Sequence, residues 1–339
     1  MGDPALAAQI RPMFHCSLGE MRNVLSDPAR LERKLLRKWL AIAGLLLLCL
    51  IWAVGWVRAD LQPGTSGRWS VTPLMNQAAL LGSLALAAAA AALVRRVEWP
   101  GREFAGKAGL VGVGLFVIPT LLTGVARDRI DDATRVALFS LTPLFAVIFE
   151  PHLGIHAGKD HESRGGFLAA MTAIAGTFLV FPVELPRSYG AAFLMIGVVG
   201  TAAWIAGANC TAVRMTRQSP SVLTFTTVVS GLAALALEIF GLGFRQHAAS
   251  GVFFNGWTVL DLVALALLFW LMPRMSAVQM TTRYLIAPLM ANLMSLALLR
   301  PHVDIQSWIG LLLIAAGAGW LMFAPAKTGD SDDFTLLTR

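Results

Sequence analysis

"FSLTPLFAV", residues 139–147, and "YLIAPLMAN", residues 284–292, are two apolar runs with a proline at the same place in each. A proline inside a soluble helix costs about 3 kcal/mol, because it removes a hydrogen bond and clashes with the preceding turn. In a membrane bundle, neighbouring helices, hydroxyl side chains and water satisfy the freed carbonyl, and the cost falls. Two prolines in matched apolar settings therefore argue for helices that cross a bilayer and bend near its middle.

The rest of the chain agrees. It has 339 residues, of which 56% are hydrophobic and only 14% charged, whereas a soluble domain carries about 25% charge. The charges cluster between ten apolar stretches, at about 39–57, 72–94, 106–126, 131–149, 165–183, 189–213, 221–243, 253–273, 276–299 and 305–324. Each is near the roughly 20 residues that a membrane helix needs. The reading is an all-α integral membrane protein with ten transmembrane helices. That leaves no soluble mass for an aqueous catalytic domain, and the chain is not read as an enzyme.

The first 38 residues are polar and basic and the first span is long, so no cleavable signal peptide is expected. Of the three cysteines, Cys49 and Cys210 lie in spans and Cys16 in the tail. That pattern suggests neither a disulfide framework nor a metal site. The net charge of +7 resides in residues flanking spans, which argues against nucleic acid as a partner. No nucleotide-binding loop is legible, so ATP drive is unsupported, and no cofactor is expected. Lys and Arg concentrate in the N-terminal tail and the loops on its side, from Arg11 to Lys38 and then at Arg95, Arg96, Arg102, Lys107, Arg214, Arg217 and Arg274. The expected orientation is both termini in the cytoplasm, in a plasma (inner) membrane.

Aligning Pro143 with Pro288 sets an offset of 145 and exposes a repeat. Asp131 then meets Ser276, each twelve residues before its proline, and both suit a helix N-cap. Ser276 with Gln279 forms a capping-box pattern. "WAVG" at 52–55 answers "WIAG" at 204–207, and "EPH" at 150–152 answers "RPH" at 300–302. The features recur in the same order, with five spans per half. An odd number makes the second half enter from the opposite side, which is the inverted-topology build of many secondary transporters. The expected organisation is a basic cytoplasmic tail at 1–38 with an amphipathic helix, five-helix repeats at 39–183 and 189–324, and a disordered cytoplasmic tail at 325–339.

"LTPLFAVIFE" (141–150), "FWLMPRMSAVQ" (269–279), "APLMANLMSLALL" (287–299) and "WIGLLLIAAGAGWLM" (308–322), in this order over a five-plus-five span pattern, resemble the drug/metabolite transporter superfamily in its EamA-like branch. The resemblance covers roughly residues 39–324. It implies a central cavity shared by both halves and opening alternately to each side, and small metabolites as cargo, amino acids among them. The long His-rich loop at 150–165 and the 38-residue tail depart from that branch.

Arg283 is the leading site candidate, since a charge within a span is costly and functional by default. It lies seven residues after Ser276, about 10 Å into the membrane, with Gln279 one turn earlier. Snorkelling to the headgroups is the plainer reading. A second stripe carries Tyr284, Pro288 and Asn292. The face of the fourth span that matches the Gln279–Arg283 stripe offers Thr134, Thr142 and the flanking Arg135. Trp52 and Trp204 hold equivalent mid-span positions, where a ring could line a pocket, and Asn209 could bond substrate or a neighbouring helix. Glu238 and Asp261 are the coupling candidates, Pro143 and Pro288 the hinge candidates. Gly55 and Gly207 read as close-approach positions, as does the alanine run at 87–92. His152, His156 and His161 are too loosely spaced for a metal site. The segment 27–40 reads as a basic amphipathic helix lying on anionic lipid.

The function expected is a secondary transporter that moves a small polar or amphiphilic metabolite, such as an amino acid, outward by alternating access. Its partners are then a small-molecule substrate and the lipid bilayer, with monomer and homodimer both open. A sugar-phosphate or nucleotide-sugar anion antiporter is the nearest alternative. The alternative of another class is a membrane scaffold or sensor that recruits a partner through its basic tail.

Overall fold

The computed structural model describes residues 28–61, 72–127, 129–152, 160–219, 221–244, 256–299 and 304–323. The tail at 325–339, residues 1–27 and His156 lie outside these residues, as does the side chain of His161. Among the described residues every regular element is helical.

Helix α1, Pro28–Leu61, has 34 residues. At about 1.5 Å per residue it is some 51 Å long, well beyond the roughly 30 Å of a hydrocarbon core. The helix expected at 27–40 forms from Pro28 as part of α1, whose helical assignment runs on through the first apolar stretch. By its contacts the chain divides into Met1–Ala43 and Gly44–Arg339. In the first unit Leu35, Leu36, Trp39 and Leu40 are exposed.

The second unit continues through α2, Thr72–Val94, and α3, Arg102–Gly112. A π-helical turn at Val113–Val117 leads into α4, Ile118–Ala126. Next come α5, Asp132–Phe139; α6, Thr142–His152; α7, Asp160–Val180; and α8, Tyr189–Gln218. The chain then forms α9, Val222–Phe244; α10, Gly256–Leu271; α11, Ala277–Thr281; α12, Arg283–Leu299; and α13, Ile305–Phe323.

Seven segments are long and apolar enough to cross a membrane by length and composition: Leu35–Val57, Leu74–Val94, Arg102–Ala126, Asp132–His152, Tyr189–Gln218, Val222–Leu242 and Ile305–Phe323. The apolar parts of α7 and α10, Gly165–Val180 and Thr258–Leu271, are shorter. The remaining expected span, 276–299, is interrupted at Thr282, so neither α11 nor α12 is long enough alone. These three account for the difference from the ten stretches that hydropathy marks.

Two helix pairs dominate the packing, α2 with α9 and α7 with α13. Glycines set the second. A Cβ on Gly176 would lie 2.6 Å from the Gly310 carbonyl oxygen, and one on Gly317 would lie 2.5 Å from that of Ala169. The backbones therefore touch along the seam, as small residues permit in membranes. Gly55, expected to serve the same purpose, has nothing within 4 Å. Helix α2 closes in a Schellman-type turn: the Arg96 amide donates to Leu93 O and the Val97 amide to Ala92 O, at 3.0 Å each. Arg96 takes the left-handed conformation there, with φ of 51°, where glycine is the usual residue.

Both proline stretches sit beside helix breaks that hydroxyl groups seal. Between α5 and α6 the Ser140 hydroxyl donates to Ala137 O at 2.6 Å, and that of Thr142 to Phe139 O at 2.7 Å. Phe139 O is the carbonyl that Pro143, lacking an N–H, leaves unserved. Pro143 is the second residue of α6 and not a mid-helix residue, so it loses little. Between α11 and α12, Thr281 donates to Val278 O at 2.8 Å and Thr282 to Gln279 O at 2.6 Å. The break here falls six residues before Pro288, which stays inside α12. Asn292 Nδ2 donates to Pro288 O at 3.1 Å.

Candidate functional site

Helix starts deliver the site residues. Asp131 caps α5, its carboxylate accepting from the Ala133 and Thr134 amides at 3.0 and 3.3 Å. Ser276 and Gln279 form the full capping box at α11. Seven residues on, Arg283 begins α12 and is 2% exposed. Its Nη1 donates to Asn209 Oδ1 of α8 at 3.2 Å and to Met280 O at 3.1 Å. Nη2 donates to the Tyr284 hydroxyl at 3.4 Å. Its Nε has no hydrogen-bond partner. The guanidinium carbon stands 4.9 Å from the Tyr284 ring centroid and 5.7 Å from that of Trp52 on α1. Tyr284 stacks on Phe139 of α5 at 6.4 Å. The buried Cys49 thiol lies within electrostatic reach of Arg283.

Four helices thus converge on one cation. Its three acceptors are all neutral: Asn209, which is itself held through Nδ2 to Ile205 O at 2.8 Å, the Tyr284 hydroxyl, and Met280 O at the helix break. Neutral hydrogen bonds and ring faces offset part of the desolvation of a guanidinium, but a buried charge without a counter-ion still costs several kcal/mol. An anionic group that displaced these neutral partners would be met by bidentate donation from the fork.

Of the residues expected here, Arg283, Tyr284, Asn209 and Trp52 are brought together. Gln279 is not part of the cluster: its Oε1 accepts from the Ser276 amide at 3.1 Å and its Nε2 donates to Met322 O of α13 at 2.9 Å. Thr134 accepts from the Glu184 amide at 3.0 Å, and Thr142 seals the break. Arg135 is half-buried, pairs with Asp132 and donates to Thr123 O at 3.2 Å. Asn292 is taken by its bond to Pro288 O. Trp204, expected to match Trp52, is 46% exposed and its indole covers Gly114 in the π-helical turn. Glu238 is half-buried and Asp261 exposed, so neither is the desolvated carboxylate that coupling would use. Glu150 is buried, within electrostatic reach of Cys210. Phe139 belongs to the cluster and went unmarked in the sequence, where it reads only as the start of a proline stretch.

A separate cavity of about 540 Å³ opens at the N-terminal ends of α5 and α8. Arg127, Arg129 and Arg187 line it with Asp131 and Glu184. Arg187 pairs with Glu184 at 3.5 Å, and Asp131 is taken by its cap, so much of this charge is internally matched. Among the described residues no three His, Cys, Asp or Glu side chains come together as a metal site.

No family model and no curated protein matches the chain. A solved crystal structure without a functional description shares the fold, with a TM-score of 0.57 at 18% identity. The match covers 83% of this chain and 99% of the other. The likeness is one of architecture alone.

Proposed function

We propose that the chain is a secondary transporter of the drug/metabolite type, which moves a small polar or amphiphilic metabolite outward by alternating access. The single observation that carries this reading is Arg283, a cation 2% exposed, bonded only to neutral groups, at the meeting of four helices. A structural arginine in a membrane normally faces a carboxylate or reaches the headgroups. This one does neither among the described residues, so a ligand completes its environment.

The same reading takes the ten apolar stretches as ten crossings in two inverted five-helix repeats, with both termini in the cytoplasm. Two features support it. The dominant pairs α2–α9 and α7–α13 join the second span to the seventh and the fifth to the tenth, the equivalent partners under that symmetry. Phe139 and Tyr284 are 145 residues apart, the repeat offset, and stack on each other, as equivalent residues do beside a two-fold axis.

The test is flux in proteoliposomes of purified protein. Labelled amino acids and phosphorylated metabolites are compared, with and without a pH gradient. Arg283→Gln abolishes the flux while the protein keeps its melting temperature; wild-type flux in that variant refutes the assignment. The anion antiporter is the second reading, and the unpaired cation favours it. A scaffold working through its tail predicts instead that removing residues 1–38 abolishes function while Arg283→Gln does not.

A further inference from the structure

The Arg283 cluster is asymmetric in a way that specifies its ligand. The cation is sealed, at 2% exposed, yet the rings around it are not: Trp52, Phe139 and Tyr284 are each half-buried. These rings come from α1, α5 and α12. Tyr284 gives one face to the guanidinium and stacks on Phe139, and Trp52 stands at 5.7 Å from the cation. A ligand therefore meets the partly open aromatic surfaces first and, behind them, one sealed positive charge with an unpartnered Nε.

Charge balance narrows the choice. One anionic group neutralises the site; a dianion leaves it net negative in a low-dielectric setting, where unpaired charge is costly. A zwitterion brings an ammonium, and every hydrogen-bond partner of the cluster is neutral: Asn209, Met280 O and the Tyr284 hydroxyl. Among the described residues the buried carboxylate is Glu150, which lies within electrostatic reach of Cys210. That residue points about 100° around α8 from Asn209. Planar rings stack on aromatic faces with a preference that saturated rings lack.

We propose that the cluster binds a monoanion carrying an aromatic ring, an aryl or heteroaryl carboxylate, in preference to zwitterionic amino acids, amines and dianionic phosphates. This deepens the transporter reading and rests on the same site. The carboxylate takes the guanidinium fork, replacing weak neutral partners with a charge-assisted pair, and the ring lies among Trp52, Phe139 and Tyr284.

The test is binding, measured by calorimetry on the full chain in detergent. The probes are phenylacetate, phenylalanine, phenethylamine, phenyl phosphate and cyclohexylacetate. Phenylacetate binds about tenfold or more tightly than phenylalanine or phenethylamine, as expected for one unmatched charge, and also outbinds phenyl phosphate and cyclohexylacetate. Trp52→Leu erases the advantage over cyclohexylacetate, and Arg283→Gln removes acid binding. The wild-type comparisons hold whether or not either variant folds. Equal affinity for phenylalanine and phenylacetate overturns the proposal, as does the absence of phenylacetate binding. Flux of a zwitterion without aryl-acid binding also overturns it, while the transporter reading survives. Aryl-acid binding without flux upholds this site and refutes transport.

Discussion

Gly317 and Gly319 lie two residues apart on α13 and should respond to the same substitution with opposite signs. A Cβ on Gly317 would stand 2.5 Å from Ala169 O and 2.7 Å from both the amide nitrogen and Cβ of Ala173. Ordinary contact begins at 3.4 Å, so the first of these is short by 0.9 Å. Two of the three obstacles are backbone atoms of α7 and cannot turn aside as a side chain would. The helices must part by most of that distance, and Gly176 against Gly310 holds the same seam closed further along. Overpacking of this kind costs about 1–3 kcal/mol. Replacing glycine in a helix returns up to about 1 kcal/mol. Because rigid backbone blocks relaxation, the upper end of that range applies, and the net expectation for Gly317→Ala is a loss of about 2 kcal/mol. Gly319 has nothing within 4 Å, so Gly319→Ala keeps only the gain of about 0.5–1 kcal/mol. Heating detergent-purified protein and following the monodisperse fraction by size-exclusion chromatography reads both. Gly317→Ala should melt several degrees below the parent and Gly319→Ala at or above it. If Gly317→Ala melts with Gly319→Ala, the backbone seam is not a tight contact and the argument is wrong.

Arg283→Gln removes a charge that lacks a counter-ion, so melting should hold or rise even though Asn209 loses a donor worth about 1–3 kcal/mol; a fall of more than that would make Arg283 a structural residue. Gln279→Ala breaks the capping box and the tie to Met322 O, and should cost about 1–2 kcal/mol while the folded fraction transports normally, as a flux assay normalised to folded protein would show. Ser188→Ala deprives α8 of the hydroxyl that accepts from the Ala191 amide at 3.2 Å, for a loss of about 1 kcal/mol in the same melting assay. Trp204→Ala should leave ligand affinity unchanged whereas Trp52→Ala weakens it, which calorimetry separates.

Local chemistry carried much of the fold into the sequence. The caps at Asp131 and Ser276 could be read there because an N-cap is a property of adjacent residues, and both are present with the expected bonds. The burial of Arg283 followed from counting residues along a helix. The breaks at Ser140–Leu141 and Thr282 did not show, because hydropathy is blind to a hydroxyl that serves its own backbone. Gln279 shares a stripe with Arg283, but the stripe fixes only direction, and the cap competed for the side chain. The two tryptophans, paired in the sequence by Trp-x-x-Gly, met different neighbours: Trp52 found a cation and Trp204 the bare backbone of a π-helical turn.

Arg96 shows two selective demands acting on one residue. At the end of α2 its backbone sits in the left-handed conformation, which costs an arginine about 1–2 kcal/mol relative to glycine. As a matter of equilibrium stability, Arg96→Gly would improve the protein. In the proposed orientation the same side chain belongs to a cytoplasmic loop, where positive charge helps to fix which way the nascent helices insert. That decision is made during biosynthesis, before the folded state exists to be stabilised. In that orientation, an arginine at a glycine position favours correct assembly of the chain over endurance of the finished fold.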